Sequence, residues 1–149
     1  MKFSQLSDTQ RQRIEIAVKN LAFGKLLGIE LENVEPGIAS LTLEIKDDLR
    51  QNNGVVHGGA IATLIDSATA FALIPLLDDG ETATTVDLSI SFLRPLVKGR
   101  AKASARVLRL GSRIIVLSAE VFDDSGNLAA TALTSYLRLK KRPEILIDS

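Results

Sequence analysis

His57, Gly58, Gly59 and Asp66 are the residues whose types and spacing can do chemistry in this chain. They lie in QNNGVVHGGAIATLIDSATAF, residues 51–71, where a single acid interrupts an otherwise apolar run. His-Gly-Gly opens a segment that reads as a helix. A helix start leaves backbone N–H groups unpaired at the positive end of the dipole. Such a site can hold a phosphate or a developing oxyanion. Gly58, with no Cβ in the way, is the candidate donor, because a substrate oxygen can approach its N–H closely. Gly59 is a second small residue at the same place, suited to close packing there. Asp66 sits where a carboxylate is costly to bury without partners. It is either a working acid or a helix-interior acid paired with Arg or Lys. A donor-rich helix start plus one buried acid is the equipment of acyl transfer or hydrolysis. The acid can act as general base on water or add to the carbonyl carbon itself.

Spacing adds a constraint. Gly58 and Asp66 are eight residues apart on one helix, which separates them by about 12 Å along its axis. One reacting carbon is not easily served by both. Two copies of the chain, one giving Gly58 and the other Asp66, solve the problem. His57, the single histidine, is accompanied by no serine nucleophile motif. It reads as a helix cap, or as a group orienting the loop and the reacting carbonyl, rather than as a general base.

Composition narrows the class. The chain has 149 residues, which suits one domain, 1–149, with its core at about 21–140. Lys+Arg and Asp+Glu balance at 18 each, unlike a generic nucleic-acid binder. There is no cysteine, so disulfide scaffolds, thiolate metal sites and cysteine nucleophiles are excluded. A single histidine excludes multi-histidine metal sites, and the expectation is no metal and no cofactor. The N-terminus has no apolar signal region. Residues 59–77 are nearly long enough to span a bilayer, but Asp66, Ser67 and Pro75 argue against it. A cytoplasmic enzyme or binding domain is expected, with no membrane or nucleic-acid partner.

The elements that must position these residues follow from periodicity. Ser7-Asp8-Thr9-Gln10 has capping-box spacing, and Ile14, Ala17, Val18 and Leu21 then repeat at helical period, so a helix is expected over 8–21. Strands are expected over 29–34 and 38–45, the second with Ala39, Leu41, Leu43 and Ile45 on one face. Residues 47–54 read as a polar loop. The segment 58–74 has no polar face, so it reads as a buried helix, ended by Pro75. From Thr82 the period changes to two, with Val86, Leu88, Ile90 and Phe92 alternating with Thr85, Asp87, Ser89 and Ser91. Strands over 101–110, 113–122 and 128–139 complete the chain, the last two joined at Ser125-Gly126. Residues 140–149 read as a loose tail. The class is α+β: a curved sheet, the later strands forming a meander, wrapped around the apolar helix.

Gly-Val-Val-His-Gly-Gly, with Leu-Ile-Asp beginning seven residues after His57, resembles the signature of the hotdog-fold acyl-CoA thioesterases, in the branch named after the phenylacetate-pathway (PaaI-like) enzyme. Thr85-Val-Asp-Leu-Ser-Ile-Ser-Phe-Leu-Arg-Pro95 is similar to that family's third strand and its exit. The resemblance covers roughly residues 21–140. It implies a hotdog fold with a six-stranded antiparallel sheet, subunits pairing their sheets into a homodimer or a dimer of dimers (a homotetramer), and active sites at the subunit interface.

It also implies roles. Gly58 polarises the thioester carbonyl and Asp66 of the partner subunit is the acid. Gln51 stands where the family carries a side-chain amide near the reacting carbonyl, with Asn52 and Asn53 as neighbours of the same chemistry; a plain polar loop is the alternative. Thr85 stands where a hydroxyl positions water, although threonine also simply suits a strand. Arg94, Lys98, Arg100 and Arg113 are candidates for the CoA phosphates as a group. The expected reaction is hydrolysis of an acyl-CoA to the free acid and CoA. The competing readings are an acyl-CoA-binding domain without turnover, and a hotdog hydratase or dehydratase, which needs a catalytic histidine.

Overall fold

Ser7 begins the first helix, α1 (Asp8–Lys19), and both halves of the capping box form. The Gln10 N–H donates to Ser7 Oγ at 3.2 Å, and the Ser7 N–H donates to Gln10 Oε1 at 2.9 Å. The structure is a computed structural model and describes residues 5–140; the tail expected to be loose lies, apart from Lys140, outside the described residues. Asn20 ends α1. A second short helix, α2 (Ala22–Leu27), follows and closes on Gly28 in the left-handed conformation at φ 86°. Its six residues are too few to show a period, so the sequence pattern missed it.

Strands β1 (Ile29–Glu35) and β2 (Ile38–Glu44) form a hairpin. Ala39, Leu41 and Leu43 are buried on one face of β2, as their alternation requires. The central helix, α3 (Gly58–Leu73), continues into a short 3-10 turn at Ile74–Leu76 that carries Pro75. Strands β3 (Glu81–Phe92), β4 (Arg100–Leu110), β5 (Ile114–Phe122) and β6 (Leu128–Lys140) follow. All six form one antiparallel sheet in the order β1-β2-β4-β5-β6-β3.

That order corrects the expected meander. Only β4, β5 and β6 run as one. β3 crosses the fold to pair with β6 and forms one edge of the sheet, with β1 at the other. α3 lies across the concave face. Leu64, Ile65 and Ala68 are fully covered there, alongside Leu41, Ala103, Ile115 and Leu117 from the strands. The segment Gly58–Leu76 is long and apolar enough to cross a membrane, but 56% of it is buried inside this fold, as in the core helix of a globular domain.

β3 departs from the expected alternation at one residue. Its register against β6 shifts between Thr85 and Asp87, so Val86 is a bulge. A bulge adds one unpaired residue and flips the side-chain phase. Thr85 therefore faces the helix together with Leu88 and Ile90, not opposite to them. The Thr134 hydroxyl supports the bulge by donating to the Asp87 carbonyl at 2.7 Å.

Candidate active site

His57 is the N-cap of α3: its backbone is extended, and its Nδ1 accepts the Gly59 N–H at 2.8 Å. An accepting Nδ1 carries no proton, so in the neutral ring the proton is on Nε2, which is left as a donor. Gly59 is needed for this turn, because a Cβ there would meet His57 Nδ1 at 2.9 Å. The next donors are also taken, since the Ala60 and Ile61 N–H groups both reach the His57 carbonyl. The Gly58 N–H alone in this first turn has no acceptor among the described residues. The Phe92 ring stands over Gly58, 3.2 Å from where a Cβ would be.

Asp66 lies two turns further along α3 and is half-buried. Its Oδ1 accepts from Thr85 Oγ1 at 2.8 Å. The phase flip at Val86 is what turns Thr85 toward it. Tyr136, the cross-strand partner of Thr85 on β6, approaches from the same side. Its hydroxyl lies 3.1 Å from the Asp66 carbonyl oxygen and 3.4 Å from Oδ1. Asp66 Oδ2 accepts no hydrogen bond among the described residues. A cavity of about 430 Å³ opens beside it, walled by Leu21, Phe23 and Gly24 of the α2 region, Ala62 and Thr63 of α3, and Leu88 of β3. Asp66 thus has one anchored oxygen and one oxygen without a hydrogen bond, beside an apolar-walled space.

Burial pushes the Tyr136 hydroxyl up to about 12, with the Asp66 charge adding to the rise and hydrogen bonds to Thr69 and Thr85 opposing it. Tyr136 is therefore protonated at neutral pH and can donate. It was not among the residues singled out in the sequence. The usable signal is that the only tyrosine of the chain shares β6's inward phase with Thr134 and Ala132.

The other candidates divide into groups. Gln51, Asn52 and Asn53 line a separate cleft with His57 and Arg50. Arg50, absent from the sequence candidates, holds that loop through Asp47 and the Gly54 carbonyl, at 3.1 and 2.7 Å. Within one chain neither Gln51 nor the Gly58 N–H shares the Asp66 cavity. Arg94 leaves β3 beside the start of α3, where the Leu96 carbonyl accepts the Val56 N–H at 2.9 Å. Arg113 is not with it. Arg113 lies opposite Arg138, where its carbonyl accepts the Arg138 N–H, while the Arg94 N–H reaches the Ala129 carbonyl. Nine residues of β6 separate these points, about 30 Å.

The fold and this site define a hotdog thioester hydrolase of the PaaI-like kind. The description of the Thioesterase superfamily matches residues 53–130, more than half of the chain, and the chain belongs to that family. It is similar to the medium/long-chain acyl-CoA thioesterase YigI of Escherichia coli, 28% identical over 138 residues, covering 83% of this chain and 89% of the relative. Among solved structures it resembles the PaaI protein from the phenylacetic acid degradation operon of E. coli, with TM-score 0.83 and 26% identity, covering 92% of this chain and 98% of that one. A thioesterase family protein from Silicibacter pomeroyi matches with TM-score 0.82 and 25% identity, over 88% and 98% of the two chains.

Proposed function

We infer that this chain hydrolyses acyl-CoA thioesters at a site shared between two copies, with Asp66 of one and the Gly58 N–H of the other. The observation that carries the reading is the Asp66 carboxylate: one oxygen tied to Thr85, the other free beside an apolar-walled cavity. The acyl group occupies that cavity. Asp66 Oδ2 takes a proton from a water that adds to the thioester carbon, or adds to that carbon itself to give an anhydride that water then opens. By either route the negative charge forms on the carbonyl oxygen, where the Gly58 N–H and the start of α3 stabilise it. Collapse expels the CoA thiolate, which is protonated, and the free acid leaves. His57 Nε2–H and the Gln51 amide add donors at the carbonyl end, and Asn53 lies beside them. Thr85 fixes the orientation of the acid. The CoA phosphates fit the cationic exit of β3 at Arg94, with Arg113 belonging to a different region. No cofactor is needed, and the cytoplasm supplies the substrate. A hydratase reading is disfavoured because His57 Nδ1 is occupied in capping its own helix.

The sheet edge supports the shared site. β3 is a 12-residue strand without proline, lysine or arginine at an open edge, the kind of edge that pairs with another chain. Side chains directly opposed across an antiparallel pair share a face. With Ser89 placed on the two-fold axis, Leu88 meets the partner's Ile90, Asp87 meets the partner's Ser91, and Val86 bulges out. Thr85 then faces the partner's Phe92. Thr85 touches Asp66 and Phe92 covers Gly58, so this register brings Asp66 to the partner's Gly58.

The test is release of free thiol from short, long and aryl acyl-CoAs, beside the Asp66→Asn protein. The expected result is turnover that falls by roughly 100-fold or more in the variant, the scale for an acid–base group. Near-normal turnover in a folded Asp66→Asn protein would sink the assignment. CoA esters that bind without turnover would favour the binding-domain reading.

A further inference from the structure

Behind the anchored oxygen of Asp66 lies a closed pair of hydroxyls. Thr69 is fully buried and Tyr136 is 4% exposed. Their oxygens are 2.9 Å apart, and either can be the donor. Thr69 Oγ1 also lies 2.9 Å from the Asp66 carbonyl oxygen, one helical turn back. Tyr136 reaches both that carbonyl and Oδ1. Two hydroxyl protons thus face two outside acceptors, the Asp66 carbonyl and Oδ1, and three arrangements keep a proton between the hydroxyls. In one, Tyr136 donates to Thr69, which donates to the Asp66 carbonyl. In the other two, Thr69 donates to Tyr136, which donates either to the Asp66 carbonyl or to Oδ1.

We propose that Tyr136, with Thr69 behind it, is a positioning residue that holds the Asp66 carboxylate by Oδ1 and leaves Oδ2 as the reacting oxygen. The inference rests on the assignment of Asp66 as the reacting acid. Electrostatics decides among these arrangements. A carboxylate attracts a hydroxyl proton more strongly than an amide carbonyl does, so charge on Asp66 draws the Tyr136 proton to Oδ1, and neutralisation releases it to Thr69. The 3.4 Å separation is long for such a bond, and a small rotation of the carboxylate closes it. Thr85 and Tyr136 face each other across the β3–β6 ladder, so together they grip one oxygen from two strands. A carboxylate gripped in this way keeps its other oxygen aimed into the cavity, and small errors of aim at a reacting centre are expensive.

The test uses the full chain. Tyr136→Phe keeps the ring and removes the proton. It is expected to lower kcat by roughly tenfold, the worth of one ordinary hydrogen bond, with KM within about twofold of the parent, as for an interaction felt mainly in the transition state. Thr69→Val should move kcat the same way by less, and Thr69→Ser should restore it. Tyr136→Phe with unchanged kcat, or with only KM raised, overturns the proposal. So does failure of both Tyr136→Phe and Thr69→Val to fold, which would make the pair a structural brace. A second readout needs no substrate. Tyr136 is the only tyrosine and there is no tryptophan, so tyrosine emission reports this one hydroxyl. A phenol donating to a carboxylate emits weakly, so Asp66→Asn should brighten the chain at neutral pH. Unchanged emission overturns the coupling. Because this arm is independent of turnover, a chain that hydrolyses no acyl-CoA sinks the proposed function while the contact is still tested.

Discussion

Ser89→Cys tests the register on which a shared site depends. If Ser89 sits on the two-fold axis, its Cα lies opposite the same atom of the partner, at about 4.5 or 5.5 Å depending on whether the pair is hydrogen-bonded. Both values fall inside the window of roughly 4.4–6.8 Å that a disulfide spans. Residue 91, by contrast, is opposed to residue 87 of the partner, so two copies of residue 91 are four positions apart along the ladder. At about 3.3 Å per residue that is roughly 13 Å, well beyond a disulfide. The chain contains no cysteine, so a single introduced thiol can pair only with its own copy. Ser89 and Ser91 are both exposed and point away from the helix, which leaves the site undisturbed. The assay is mild oxidation followed by non-reducing electrophoresis. Ser89→Cys should form a covalent dimer rapidly, Ser91→Cys only slowly. Equal rates, or faster pairing through residue 91, would refute the register and with it the route by which Asp66 meets the partner's Gly58.

Three further outcomes are expected. Mixing Asp66→Asn with Gln51→Ala should restore activity to about one quarter of the parent, because random exchange in a two-fold dimer makes half the dimers hybrid, each with one intact site; no recovery would place both residues in one chain's site. Alkali should destabilise the fold in the window from about pH 10 to 12. The folded Tyr136 hydroxyl is raised to about 12 from an ordinary 10.0, so its contribution is present below pH 10 and is lost as the pH rises through 12. Tyrosinate absorbance appearing near pH 10 in a chain whose circular dichroism is still native would contradict this. Gly99→Ala should cost about 2–3 kcal/mol, because φ is +79° and the new Cβ would lie 1.7 Å from Asp124 Oδ2; a midpoint within a degree of the parent's in a thermal melt would be inconsistent with that clash.

The sequence made some of this legible because local signals were strong. The capping box at Ser7 and Gln10, the buried face of β2 and the all-apolar α3 each follow from a period or a cap that needs no tertiary information. Asp66 stood out for a similar reason, as the one carboxylate in an apolar helix. What was hidden depended on pairing between distant segments. The crossing of β3 to β6 is set by the whole sheet and not by residues 81–92. The bulge at Val86 has no local marker, since valine continues the apparent alternation. Tyr136 meets Asp66 only because β6 aligns it with Thr85, 51 positions earlier. The basic residues divided for the same reason. Arg94 and Arg113 are near in sequence, but the topology sends them to opposite ends of β6.

The apolar helix also carries a consequence for synthesis. α3 is complete at Leu73, yet β4 and β5, which pack on it, finish only at Phe122. At translation rates of roughly 5–20 residues per second the interval lasts several seconds. Throughout it the ribosome holds out a 16-residue helix whose core side, with Ile61, Leu64, Ile65, Ala68 and Ala72, has only the β1–β2 hairpin to shelter it. A nascent chain of this protein, stalled between those two points, is a natural client for chaperones that bind exposed apolar helices.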